Sequence, residues 1–250
     1  TGLDASRSES PSGEAKSLIR RSWDASQQVD GIDKVVVATD DDRIAQAVTA
    51  FGADVVMTSE SCKNGTERCA ETLTKLAVDY DIIVNLQGDA PLTPAWFIED
   101  LVKGLKANPD AQVATPVLRT EGRALNGLLK DRREGRVGGT TAVFGADHNA
   151  LYFSKEVIPF RGKKYLDGDE TPVFHHVGVY AYRPAALLAY PQWDAGPLEQ
   201  LEGLEQLRFL ERGVPMLCVE VAANGRQFWE LNNPEDVPTI EAMLKEMGQD

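Results

Sequence analysis

Lys34-Val35-Val36-Val37-Ala38-Thr39-Asp40 is a short β-branched run that ends in polar residues. A continuous apolar strand of this kind belongs to a sheet covered on both faces, because a half-exposed strand would alternate apolar and polar side chains. The pattern repeats on either side of it. Residues 15–28 put Leu18, Ile19 and Trp23 at helical spacing. Further helices are expected over 41–51, 67–78 and 94–107, with strands over 53–57, 81–86 and 112–118. Strands that alternate with helices through short connections predict a mainly parallel, Rossmann-like α/β sheet. Ligands of such sheets sit beyond the carboxyl ends of the strands. Thr39, Asp40, Gln87 and Asp89 all fall at that edge.

The second half is less regular. Residues 119–135 are charged and read as a loop or short helices, while 137–144, 150–154, 176–182 and 215–221 read as strands. Residues 197–211 carry Leu198, Leu201, Leu204 and Leu207 and read as one amphipathic helix. Residues 234–247 read as a closing helix with Pro234 in its first turn. Residues 1–15, rich in Ser, Gly and Glu, are expected to be loop or disordered. No repeat or linker divides the chain, so 1–250 is read as a single domain.

Of the 250 residues, 42% are hydrophobic and 26% charged, the balance of an ordinary globular protein. No stretch approaches the roughly 20 apolar residues of a membrane span, and the polar start lacks a signal-peptide core. A cytoplasmic protein without a membrane partner is expected. The net charge of −13 argues against a nucleic-acid polymer, whose binding needs a basic field. A single nucleotide remains possible where a few cations and backbone N–H groups concentrate. The three cysteines lack metal-ligand spacing and suit a reducing compartment.

Four segments carry chemistry. In Asn85-Leu86-Gln87-Gly88-Asp89-Ala90-Pro91 a hydrophobic strand ends, a glycine opens the backbone, and a carboxylate follows at the ligand edge. Asp89 suits Mg²⁺, which takes one or two carboxylates plus substrate phosphates; it equally suits a turn at a strand end. Asn64-Gly65-Thr66-Glu67-Arg68 precedes a helix, where Asn64 or Thr66 would cap and free N–H groups would face an anion or a base edge. The alternative is a plain cap beside a solvated arginine. In the strand His176 to Tyr182, period two puts His176, Gly178, Tyr180 and Tyr182 on one face, as a ligand wall or as core. Glu205 and Gln206 offer hydrogen bonds to sugar hydroxyls, or else lie on a solvated helix face.

Taken in order, these segments resemble the 3-deoxy-manno-octulosonate (Kdo) cytidylyltransferases from about residue 16 onward. The landmarks are Val36-Val37-Ala38-Thr39-Asp40-Asp41, Asn64 to Arg68, Asn85 to Asp89, Ala150 to Lys155 with Ile158-Pro159, His176 to Tyr182, and Leu204 to Arg208. The resemblance implies a nucleotide-diphospho-sugar-transferase-like fold with a smaller mixed β dimerisation lobe, a homodimer, and Mg²⁺ dependence. It also implies transfer of CMP from CTP to the anomeric hydroxyl of Kdo, with release of pyrophosphate, for lipopolysaccharide biosynthesis. By the same analogy Asp89 and Gln87 are catalytic, and Ala38, Thr39, Asn64, Gly65, Thr66, Arg68 and Gln87 hold the nucleotide. Lys155, His176, Tyr180, Glu205 and Gln206 line the sugar-acid pocket, with Lys155 standing where the family often has arginine. Asp89 and Asn232 are the metal ligands.

The sequence also departs from the family. Its opening hydrophobic strand and Pro-Ala-Arg phosphate loop have no match within residues 1–15. Asn232, in Glu230-Leu231-Asn232-Asn233-Pro234, stands where the family has a metal-binding Asp, and Ala90 stands where glutamate is common. The loop from Gly122 to Gly139 also differs. These departures leave two alternative expectations: a cytidylyltransferase for another 3-deoxy-2-ulosonic acid such as a sialic-acid relative, or a non-catalytic nucleotide- or sugar-binding homologue.

Overall fold

A computed structural model describes residues 8, 9, 15–88 and 93–225, with side chains from Ser17 onward. Ser8–Glu9 (β1) and Ala15–Lys16 (β2) pair antiparallel, so the segment expected to be loop contains a short ladder. Ser17 caps Leu18–Ser26 (α1) by accepting Arg20 N–H. Val37–Thr39 (β3), Asp42–Ala50 (α2) and Val55–Met57 (β4) follow, and β3 and β4 form a separate parallel pair. Gly65–Leu76 (α3), Ile83–Leu86 (β5), Ala95–Ala107 (α4) and Val113–Glu121 (β6) agree with the expected elements.

Beyond β6 the chain forms Gly122–Arg133 (α5), Thr141–Phe144 (β7), Ala150–Ser154 (β8), Glu170–His176 (β9) and Val179–Tyr182 (β10). Pro184–Ala189 (α6), a 3-10 turn at Tyr190–Gln192, Pro197–Glu202 (α7), Leu207–Glu211 (α8) and Met216–Glu220 (β11) complete the described chain. The expected helix over 234–247 lies outside it.

The main sheet has seven strands in the order β5-β10-β6-β9-β7-β8, with β11 against β6. Only the β11–β6 pairing is parallel; the other described pairings of this sheet are antiparallel. The fold is mixed α/β, and the expectation of a mainly parallel sheet is corrected. Its premise was sound: alternate residues of β6, β10 and β11 bury into two different cores. Val113, Val117, Tyr180, Tyr182, Met216 and Cys218 face one side, while Ala114, Val179, Ala181 and Leu217 face the other with Leu101 and Leu105 of α4. Burial on both faces makes a strand continuously apolar whatever its direction. Direction was set by β10, which returns between β5 and β6.

Two elements differ from expectation in ways that shape the site. The strand expected over 176–182 is broken at Val177–Gly178, and its two parts, β9 and β10, lie antiparallel to β6. Pro116 in β6 accepts the Val177 N–H at 3.1 Å but has no N–H to return. The helix expected over 197–211 is also broken. Gly203 takes a left-handed conformation (φ +61°) and its N–H closes α7 onto Glu199 O at 2.7 Å. Glu205 and Gln206 therefore sit in a turn between α7 and α8, not on a continuous helix. Leu201, on the stripe expected to be buried, is 83% exposed.

Replacing Gly203 by alanine puts a Cβ into left-handed backbone, and urea unfolding is expected to register a loss of about 1 kcal/mol. An unchanged midpoint would contradict this reading of the turn.

Candidate active site

The N-terminus of α3 is the centre of the site. Asn64 is its cap: its side-chain oxygen accepts Glu67 N–H at 2.9 Å, and its amide donates to Tyr190 OH at 3.0 Å. Thr66 N–H donates to Glu205 Oε2 at 2.8 Å, and Gln87 Nε2 donates to Glu205 Oε1 at 2.6 Å. A carboxylate here also meets the positive end of the helix dipole. Gly65 is required by closeness: a Cβ would lie 2.9 Å from the side-chain nitrogens of both Asn85 and Gln87. The consecutive Asn64, Gly65 and Thr66 thus converge with Gln87 and Glu205, which are distant from them in sequence.

Arg68 extends this group toward β3. Its guanidinium donates to Thr58 Oγ1 and, at 3.0 Å, to Asp40 Oδ2. Thr39, buried at the end of β3, accepts Asp41 N–H at 3.1 Å. The arginine is therefore fixed at the carboxyl ends of β3 and β4 instead of waving in solvent. Ala38 sits one residue back on β3, paired with Val56.

His176, Tyr180 and Tyr182 do share one face. Their rings continue an aromatic file from Phe153 (5.0 Å to His176) through Tyr180 (5.6 Å) and Tyr182 (6.0 Å) to Phe209 (5.9 Å) and Tyr190 (4.9 Å). The polar tips leave this file toward the site. Tyr180 OH donates to Gln206 Oε1 at 3.1 Å, and Tyr182 OH bonds Thr66 Oγ1 at 2.8 Å. Gln206 is 2% exposed and its Nε2 has no partner among the described residues, so it is a donor awaiting an acceptor. Lys155 joins from the residue just past β8. Glu202 holds its backbone N–H at 2.9 Å and the Ser154 hydroxyl at 2.7 Å, and Lys155 Nζ reaches the turn at Gly203.

What locks these parts together is not legible along the chain. Arg208, 3% exposed, makes two 2.6 Å bonds to Glu199 and a 3.0 Å bond to Glu67, and stacks over Tyr190 with 4.1 Å from its guanidinium carbon to the ring centroid. Glu67 belongs to the α3 segment and Arg208 to α8, so one buried cation fastens the Asn64–Arg68 segment to the Glu205–Gln206 turn. Both residues stand inside motifs singled out above, yet their pairing is invisible along the chain. Tyr190 carried no sequence signal.

The electrostatics bear on which groups can do proton chemistry. Burial, then the neighbouring His175, push His176 down to about 3, so its ring is neutral. Burial raises Glu205, against the opposing pull of the Thr66 and Gln87 hydrogen bonds. Burial raises Cys69 to about 12 and, with Glu71 beside it, Cys62 to about 11, which leaves neither thiol a nucleophile at neutral pH. Among the described residues no group of three acidic, histidine or cysteine side chains could hold a metal. Glu67, Glu199 and Glu205 already accept protein donors. Asp89 and Asn232, the expected ligands, lie outside the described residues.

Two outcomes follow from this chemistry. Arg208→Met would strand Glu199 and Glu67, and a loss of about 3–5 kcal/mol is expected in denaturant unfolding; a loss below about 1 kcal/mol would show the pair to be solvated. His176 is neutral when folded, with an ordinary value of 6.5 when unfolded. The unfolded chain therefore binds the extra proton, and this stability is full above pH 6.5 and lost as pH falls toward about 3. Wild type should lose about 1.4 kcal/mol per pH unit below 6 relative to His176→Gln. Parallel pH profiles of the two proteins would refute it.

Comparison with known proteins bears on the family. A family model described as cytidylyltransferase matches residues 14–218. A 3-deoxy-manno-octulosonate cytidylyltransferase of Maricaulis maris is 41% identical over 232 residues, covering 93% of this chain and 88% of the relative. A mitochondrial protein of the same description from Arabidopsis thaliana is 40% identical, covering 92% and 75% respectively. The solved structure of a CMP:2-keto-3-deoxy-manno-octonic acid synthetase complexed with CTP matches with a TM-score of 0.78 at 31% identity, covering 98% of this chain and 91% of that one. The aligned span takes in both the α3 segment and the Glu205–Gln206 turn, and on that evidence the chain belongs to the 3-deoxy-manno-octulosonate cytidylyltransferase family.

Proposed function

We propose that this chain transfers CMP from CTP to the anomeric hydroxyl of Kdo, releasing pyrophosphate. The observation that carries the proposal is the meeting of the α3 N-terminus with Gln87 and Glu205 through bonds of 2.8 and 2.6 Å. It brings the expected nucleotide side against the expected sugar-acid side. Asn64, Gly65, Thr66 and Arg68, with Ala38 and Thr39, would hold the nucleotide. Lys155, His176, Tyr180, Glu205 and Gln206 would hold the sugar acid, with the free Gln206 amide and the Lys155 ammonium as donors to its oxygens.

The work of these residues is orientation. They would hold the sugar hydroxyl in line with the α-phosphorus and exclude water from it. Asp89 and Asn232 are proposed Mg²⁺ ligands, Asp89 following Gln87 by two positions in sequence. A bound Mg²⁺ would neutralise charge on the phosphates and the leaving pyrophosphate.

We further infer one catalytic domain, a cytoplasmic setting and a homodimer. Among the described residues no helix is long and apolar enough to cross a membrane. Phe160 and Leu166, exposed at 94% and 74%, offer apolar surface for a second copy.

With CTP, Mg²⁺ and Kdo the protein should release pyrophosphate, and Asp89→Ala should slow this by about 10²–10³. EDTA should abolish release and added Mg²⁺ restore it. A panel of sugar acids distinguishes Kdo from its relatives. Binding of CTP in calorimetry without pyrophosphate from any 3-deoxy-2-ulosonic acid would overturn the enzymatic reading.

A further inference from the structure

The break between β9 and β10 leaves a hydroxyl in a decisive place. Thr115, fully buried on β6, lies one residue before the Pro116 that lacks an N–H. Its Oγ1 is 2.9 Å from Val179 O, 3.3 Å from Val177 O and 2.9 Å from His176 Nε2. Val177 O already accepts Val179 N–H at 2.7 Å.

A hydroxyl has one proton to give and lone pairs to receive. If that proton went to His176, the Thr115 oxygen would face Val179 O at 2.9 Å with two lone pairs opposed and no hydrogen between them. The proton must therefore go to the carbonyl, and the close contact with Nε2 is then a bond that the imidazole donates. Burial keeps the ring neutral, so a proton on Nε2 leaves Nδ1 bare. Among the described residues no group pairs with Nδ1.

We propose that Thr115 is a positioning residue that fixes the Nε2–H tautomer of His176, so that Nδ1 stands in the sugar-acid pocket as an acceptor for a ligand hydroxyl and not as a donor to its carboxylate. The role of the pocket rests on the function proposed above; the tautomer does not. The result is a division of labour. Lys155 and Gln206 donate to ligand oxygens, while His176 selects an O–H. An acid lacking a hydroxyl at that point would leave the Nδ1 lone pair buried without a partner.

The test uses ¹⁵N-labelled full-length protein without ligand. Two-bond ¹H–¹⁵N correlation spectra distinguish the tautomers, and the chain has only 3 histidines, assignable by single replacement. The expected result is His176 with its proton on Nε2 in the native protein and in Thr115→Ser. In Thr115→Val the preference should be lost. A native His176 carrying its proton on Nδ1, or a Thr115→Val spectrum with the native tautomer, would overturn the proposal.

Kinetics supply the second readout. Thr115→Val should raise KM for the sugar acid about tenfold, the equivalent of one hydrogen bond, with KM for CTP changed less than about twofold. Thr115→Ser should restore the native values. Equal rises in both KM values would mean that Thr115 is merely structural. Should Thr115→Val fail to fold, the native and Thr115→Ser spectra still decide the tautomer. Absence of pyrophosphate release by native protein would remove the proposed function and leave the spectra to decide the tautomer alone.

Discussion

Glu205 places a carboxylate between the first turn of α3 and the side chain of Gln87. This one acceptor joins three segments: the helix that follows β4, the end of β5, and the turn between α7 and α8. A helix N-terminus leaves N–H groups without intrahelical partners, and here the protein itself satisfies one of them across more than a hundred residues of sequence. The α3 N-terminus, Gln87 and the Glu205–Gln206 turn are consequently one hydrogen-bonded unit. A shift of one is felt by the others.

Arg208 supports that unit from below. A lone buried cation would be costly, and so would Glu199 and Glu67 without it. Together they are mutually satisfied, and Tyr190 closes the remaining face of the guanidinium. The arrangement contributes less to net stability than to geometry, since apolar residues would pack the same space at lower desolvation cost. What apolar residues could not do is fix the register of α3 against α8. Tyr190 extends the same logic by accepting from Asn64 and donating to Glu205 O at 3.1 Å.

The aromatic file supplies the floor. Alternate residues of one broken strand give the rings, and their hydroxyls reach Gln206 and Thr66 at its edge. The break at Val177–Gly178 does not scramble this face, because Thr115 and Pro116 absorb it. Proline withholds a ladder donor and threonine supplies a side-chain one. A defect in the sheet thus becomes a means of orienting an imidazole.

Local pattern was enough to find α1 to α4 and β3 to β6, since each is written in the spacing of neighbouring apolar residues, and to single out Asn64–Arg68, Gln87 and Glu205–Gln206, which the fold brings together. Period two correctly grouped His176, Tyr180 and Tyr182. Strand direction was not written there, because a strand buried on both faces reads the same either way. Nor was the break at Gly203, where glycine permits a left-handed turn but leucine spacing continues past it. Least legible were the long-range partnerships: Arg208 with Glu67, Tyr190 with Asn64, Thr115 with His176. Sequence fixes which polar groups exist and where a chain can bend; only folding, which removes water from those groups, dictates which of them must satisfy one another.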